Sequence, residues 1–161
     1  MSIAILHLGS NLGDRIANLD KALGLLANQL AIQCPSSIYA TEAWGIADQP
    51  AFYNQAVSFN TDYSPFELLN ICREVGTAFP EKEGERWGPR HMDIDIIFYS
   101  DHVIDSDLLK IPHPRMHLRN FVLIPLLEIA PDYIHPVFNK TIEELYIESE
   151  DALEVRLVRF M

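Results

Sequence analysis

Hydrophobic and polar positions change period several times along this chain, and each change marks an element. Ser2 to Leu8 is a short apolar run suited to a buried strand, and it ends at the turn cluster GSNLGD. After Asp14, a candidate N-cap, Ile16, Leu19, Leu23, Leu26 and Leu30 recur at three- and four-residue spacings. That period predicts an amphipathic helix over 15–29. Segment 31–42 is mixed, but Ile38 and Tyr39 favour a second strand, and TEAWGIADQP (41–50) predicts a loop with a partly exposed Trp44. Phe52 to Thr61 predicts a third strand. Tyr53, Gln55, Val57 and Phe59 share one face; Phe52, Asn54, Ala56 and Ser58 share the other. Ser64 as N-cap, Pro65 at the first position and Glu67 three residues after the cap predict a helix running to about Ala78. Pro80 and EKEGE then make a charged loop before a fourth strand, Met92 to Tyr99.

The order is β-α-β-β-α-β. It predicts an α+β fold with a ferredoxin-like core: an antiparallel sheet with both helices on one face. C-terminal additions follow. They are a short strand near Val103, the loop IPHPRMH, a helix around 118–128, an acidic helix and loop over 143–154, and a period-two strand in LEVRLVRF. With 161 residues and no repeat or composition break, the chain reads as a single domain, 1–161.

Composition narrows the class. The chain is 48% hydrophobic and 22% charged, as in ordinary globular proteins. No apolar run approaches the roughly 20 residues of a membrane helix, and MSIAILHLGSN lacks the basic leader of a signal peptide. Cys34 and Cys72 have no metal-like spacing; they read as reduced thiols in or near the core of a cytoplasmic protein. A net charge of −11 argues against nucleic acid as a partner. The cations are nevertheless gathered locally. Lys82, Arg86, Arg90, Lys110, Arg115 and Arg119 are six of the twelve basic residues, and His91, His102, His113 and His117 share their window. Such a cluster is either a solvated surface or a collector of small anions.

The densest chemistry lies in RWGPRHMDIDIIF (86–98). Side chains at i and i+2 of a strand point the same way, so Asp93 and Asp95 share a face, with Ile94 and Ile96 opposite. Two carboxylates roughly 7 Å apart repel and lose hydration when covered; Mg²⁺ removes that cost and takes water and phosphate oxygens as its other ligands. For D-x-D taken alone, an ordinary strand with a solvated face is the stronger reading. The arginines Arg86, Arg90 and Arg119 shift the balance, because guanidinium groups bind phosphate in bidentate fashion. Carboxylates for metal and arginines for phosphate are the equipment of phosphoryl transfer, here without the G-x-x-x-x-G-K-[ST] cradle. Phe52 and Asn54, on one strand face, suit a flat heterocycle: the ring stacks and the amide reads an edge. Phe121 is a candidate second wall.

Four motifs stand in a familiar order: G-S-N-x-G-D, D-Q-P-x-F-x-N, R-W-G-P-R-x-x-D-x-D-I and I-P-H-P-x-M-x-x-R-x-F. Together they resemble the 6-hydroxymethyl-7,8-dihydropterin pyrophosphokinase family of folate synthesis, over about residues 3 to 138. The resemblance implies transfer of the β,γ-diphosphate of ATP to the pterin hydroxymethyl oxygen, leaving AMP. It implies Asp93 and Asp95 as ligands of two Mg²⁺ ions, with Asp95 also a candidate proton acceptor. Arg90, Arg119, His113 and Trp87 would contact nucleotide and phosphates, Ile96 would line the adenine slot, and Glu74 would meet the ribose. Phe52 and Phe121 would sandwich the pterin while Asn54 reads its edge, helped by backbone groups of Thr41 and Ala43.

The sequence also departs from the family pattern. Where the family carries a G-R-x-R run, this chain has the acidic GTAFPEKEGE, with Lys82 its one cation. Ile71 stands where many members have a polar phosphate contact, and Pro114 replaces a tyrosine of some members. Both substrates are small molecules, and the expected state is a monomer, with a dimer as the alternative. Two other classes remain open at this point: a metal-dependent nucleotidyltransferase or phosphohydrolase, and a non-catalytic ligand-binding module. The first accounts for D-x-D and the arginines but leaves Phe52, Asn54 and Phe121 unused; the second has no need for paired carboxylates.

Overall fold

The computed structural model describes residues 1–42, 49–80 and 90–161. Elements follow the chain as β1 (Ser2–Ser10), α1 (Arg15–Ala27), β2 (Ala31–Pro35), β3 (Ile38–Thr41), β4 (Phe52–Thr61), α2 (Pro65–Gly76) and β5 (Asp93–Tyr99). Then come β6 (Ile104–Asp105), β7 (Lys110–Ile111), a 3-10 turn (Met116–Leu118), α3 (Asn120–Ile129), α4 (Ile142–Glu148) and β8 (Val155–Arg159).

Local chemistry sets these boundaries. Asp14 caps α1 by accepting from Ala17 N at 3.0 Å. Ser64 and Glu67 form a reciprocal capping box at α2, with Pro65 in the first turn, and Thr141 and Glu144 do the same at α4. Gly13 turns the chain between β1 and α1 with φ +75°, a conformation that side chains with a Cβ rarely take.

The strands form a sheet in the order β5-β1-β4-β3-β8, with β2 also paired to β4. All of these pairings are antiparallel. Taking β2 and β3 as one interrupted strand, this is the ferredoxin-like order, and β8 adds a further strand beyond it. Instead of one strand over 31–42, the chain jogs at Ser36 and Ser37. The Ser36 hydroxyl accepts from Ala56 N at 2.9 Å and Ser36 N donates to Ala56 O at 2.8 Å. A serine side chain thus replaces a ladder bond and lets the strand shift.

The period-two split of β4 sorts the core into two layers. Val57 and Phe59 pack with Leu6, Leu8, Leu19, Leu26, Leu68 and Cys72 beneath α1 and α2. Ala56 packs with Ile5, Ile97, Phe98, Val122 and Leu126 beneath α3 and α4. Each apolar cluster gains roughly 25 cal/mol per Å² removed from water. Cys72 is buried, as expected. Cys34 is exposed, because β2 pairs with β4 on one side only and its outer surface is open.

The C-terminal layer is closed around His135, which is buried. Its Nδ1 accepts from Val137 N at 3.2 Å and Phe138 N at 3.1 Å, and its ring stacks on Phe138. Burial, reinforced by nearby His117, lowers its pKa to about 4. A protonated Nδ1 cannot accept either bond. The folded chain therefore binds a proton less readily than the unfolded one, whose histidine titrates near 6.5. The stability from this loop is present above pH 6.5 and is lost as pH falls towards about 4. Melting temperatures measured between pH 7.5 and 5 should fall less steeply for His135→Gln than for the parent chain.

Candidate active site

Because α1 and α2 cover one face of the sheet, the other face is free to be shared between α3 and a cleft. β1 runs along the floor of this cleft, contributing His7 and Gly9. Its neighbours present their matching positions: Asp95 opposite His7 and Asp93 opposite Gly9 on β5, and Asn54 opposite Gly9 on β4. The result is a cavity of about 130 Å³ lined also by Thr41, Glu42, Phe52, Arg90, Arg119 and Phe121.

One end is charged. Arg90 Nη1 donates to both carboxylate oxygens of Asp93, at 2.9 and 2.7 Å. Asp95 opens to solvent through the mouth but is crowded by protein on its other sides. That crowding raises its pKa, against the pull of Arg119 and then Arg90. Arg119, half-buried, has its own pKa lowered by burial and by Arg115, and its guanidinium lies 5.6 Å from the centre of the Phe121 ring. His113 is held to about 4 by burial, then by Arg119 and Arg115, so it stays neutral near pH 7.

The other end is apolar and amide-bearing. Asn54 is buried and its Nδ2 donates to Thr41 Oγ1 at 3.2 Å, which fixes the amide plane. A Cβ on Gly9 would lie 3.4 Å from Asn54 Oδ1 and 3.7 Å from the Phe52 ring. Glycine at this point leaves the floor between amide and ring clear. Phe52 and Phe121 stand on different elements, β4 and α3, and both line the same cavity.

The structure therefore brings together Arg90, Asp93, Asp95 and Arg119 with Thr41, Phe52, Asn54 and Phe121. Ile96 faces the other way: its side chain is buried in the helix-side core, so only its backbone is available to a ligand. Glu74 is exposed on α2 and does not line the cavity, and neither does His113. Ala43 and Trp87 lie outside the described residues, as do Trp44, Lys82 and Arg86. Sequence reasoning passed over His7, Gly9 and Glu42. His7 and Gly9 had a usable signal, since alternation along β1 puts both on one face with Asn11.

Asn11 holds this assembly in register. It is fully buried, its Oδ1 accepts from Arg90 N at 2.7 Å, and its own N–H donates to Arg90 O at 3.0 Å. Its Nδ2 donates to Gln49 Oε1 and Pro50 O.

The donor set suits Mg²⁺. Among the described residues no three or more His, Cys, Asp or Glu side chains converge as a protein-only cage. Two carboxylates beside arginines instead match an ion that completes its octahedron with water and phosphate oxygens.

Fold and cleft together define a ferredoxin-like α+β domain whose second sheet face carries a pocket lined by charged and aromatic side chains. Its backbone superposes on the Plasmodium falciparum HPPK-DHPS structure with a TM-score of 0.73 at 20% identity, over 91% of this chain and 43% of that one. At the sequence level, the model of the 7,8-dihydro-6-hydroxymethylpterin-pyrophosphokinase family matches residues 5–131. The 2-amino-4-hydroxy-6-hydroxymethyldihydropteridine pyrophosphokinase of Aquifex aeolicus is 42% identical over 149 residues, which is 92% of this chain and 93% of that protein. The Bacillus subtilis protein of the same name is 42% identical over 131 residues, 80% of this chain and 78% of its own. The chain belongs to the 7,8-dihydro-6-hydroxymethylpterin-pyrophosphokinase family.

Replacing Asn11 by Ala should lower stability by about 1–3 kcal/mol, because it strands the part-buried Arg90 N–H and frees the backbone at Pro50. Urea unfolding followed by circular dichroism measures this directly. An unchanged midpoint would show that Asn11 is not the clamp.

Proposed function

We propose that this cleft transfers the β,γ-diphosphate of ATP to the hydroxymethyl oxygen of 6-hydroxymethyl-7,8-dihydropterin, giving AMP and the pterin diphosphate for folate synthesis. One observation carries the reading beyond family membership. Two carboxylates, two arginines, two aromatic rings and a buried amide line a single cavity.

The pterin would lie between Phe52 and Phe121, which gain from stacking as well as from area buried. Asn54, held by Thr41, would read its polar edge, and Gly9 leaves room for it. The backbone near Ala43 is assigned a further edge contact. At the charged end Arg90 and Arg119 would take phosphate oxygens, with His113, Glu74, Trp87 and the Ile96 backbone completing nucleotide contacts. Phosphate would compete with Asp93 for Arg90, which couples nucleotide binding to release of the Asp93 carboxylate.

Asp93 and Asp95 would hold two Mg²⁺ ions with the ATP phosphates. Bound Mg²⁺ supplies charge neutralisation on the phosphates and lowers the pKa of the attacking hydroxyl. The chain's part is positioning: the rings fix the heterocycle, the arginines fix the diphosphate, and the hydroxyl is the nucleophile, so no covalent intermediate on protein is needed. Asp95 is assigned to receive the hydroxyl proton.

Pairing of β8 with β3 ties the C-terminus to the core and supports one domain over 1–161. Among the described residues no helix is long and apolar enough to cross a membrane. The exposed free thiol of Cys34 supports a reducing, cytoplasmic setting.

The first test is a product assay with Mg²⁺, ATP and the pterin. AMP should form only when the pterin is present, and EDTA should abolish it; ADP, free phosphate or pterin-independent pyrophosphate would overturn the reading. Asp95→Ala should cut turnover by at least about 100-fold while the melting temperature stays level or rises, since it deletes a crowded carboxylate. Phe52→Ala should weaken pterin binding by roughly tenfold and ATP binding by less than about twofold, as read by calorimetry. Equal losses for both ligands would contradict the sandwich.

A further inference from the structure

Two features of the cleft are joined by a bond that the reaction scheme does not use. Phe121 stands in the first turn of α3, and four residues later the helix contains Pro125. In an α-helix the carbonyl of residue i accepts from the N–H of residue i+4. Pro125 has no N–H, so the Phe121 carbonyl has no helical donor. That carbonyl is instead met from the sheet: His7 Nε2 lies 3.1 Å from Phe121 O.

A carbonyl oxygen can only accept, so Nε2 carries the proton in this pair. The imidazole is buried on β1, and its ring centre is 5.7 Å from that of Phe121. His7 is part of the floor of the same cavity that Phe121 walls. The bond thus crosses from the central strand to the first turn of α3, at the residue whose ring faces the ligand.

We propose that His7 is a positioning residue: by donating from Nε2 to the carbonyl that Pro125 leaves without a partner, it sets the angle of the Phe121 wall and so tunes the aromatic slot for the pterin. This rests on the assignment of Phe121 to the pterin side of the cleft. His7 touches neither ATP nor the reacting atoms in this scheme. Its loss is therefore felt in affinity for the heterocycle and not in the chemical step or the grip on nucleotide.

The test compares His7→Leu, which fills similar space without a donor, with His7→Gln, whose side-chain amide can place an N–H near the position of Nε2. Steady-state kinetics are run for both substrates, with thermal melts alongside. His7→Leu should raise KM for the pterin about fivefold, the size of one lost hydrogen bond, with KM for ATP and kcat changed by less than about twofold. His7→Gln should recover most of the pterin KM. Three results would overturn the proposal. The first is an unchanged pterin KM in His7→Leu. The second is an equal loss for pterin and ATP that follows the melting temperature. The third is a His7→Gln variant with a normal melt and no recovery of pterin KM. The parent chain assayed in parallel keeps the two readings apart: its pterin-dependent AMP tests the reaction, and the variant-to-parent ratio tests His7.

Discussion

The geometry of the cleft depends on one buried amide. Asn11 directly follows β1, and it exchanges two hydrogen bonds with the backbone of Arg90 while its Nδ2 holds the backbone ahead of β4. An unpaired buried amide is costly, so the arrangement is close to all-or-none: either the segments meet at Asn11 or none of its groups is satisfied. α1 reinforces the joint, since Asn18 Nδ2 donates to Ser10 Oγ and to the carbonyls of Leu12 and His91. Thus the segment that delivers Arg90 to Asp93 is anchored from below. The anchors belong to the β1 turn and the helix after it, which lie outside the cleft.

Electrostatics explains why so many ionisable groups can share a small cavity. The cations are matched to the carboxylates at one end, Arg90 with Asp93 and Arg119 with Asp95. The histidines in and beside the cavity are kept neutral by burial: His7, which lines it, and His113, which lies outside its lining, are both lowered to about 4. Had either charged near neutral pH, the arginines would face added repulsion, and their grip on phosphate would depend on it. The positive groups that remain are guanidinium groups, which do not titrate and which suit the planar oxygen pairs of phosphate.

Much of this was legible in the sequence, and the limits have physical causes. Caps at Asp14 and Ser64 gave the helix starts, since a side chain that satisfies orphan N–H groups is a local matter. Period two placed Asp93 with Asp95 and Phe52 with Asn54 correctly, because a pleated strand leaves no other choice. Assigning Ile96 to the adenine slot and also opposite the aspartates were compatible only through its backbone, a distinction a one-letter code does not carry. The break at Ser36 and Ser37 was hidden because it depends on a hydroxyl meeting Ala56 across the sheet. His7 was hidden for a similar reason: its partner lies 114 residues away, and the clue was the missing N–H of Pro125.

The segment beyond residue 131, where the family model's match ends, buttresses both walls of the slot. Asp151 accepts from Asn120 N at 2.8 Å and so stands in for a cap at the start of α3, one residue before Phe121. β8 pairs with β3 as far as Thr41, the residue that fixes the Asn54 amide. Glu128, near the end of α3, accepts from Ser37 and Tyr39, tying that helix back to the same strand. Asp151, Ser37, Tyr39 and Glu128 do not line the cavity, so another donor or acceptor in each place could serve as well. The cleft residues have no such latitude, because each must present one chemical group at one point. The family model's match over residues 5–131 takes in every lining residue of the cavity and leaves out the tail, in keeping with this division of labour: the tail helps determine where Phe121 and Thr41 stand, and the sheet determines what they meet.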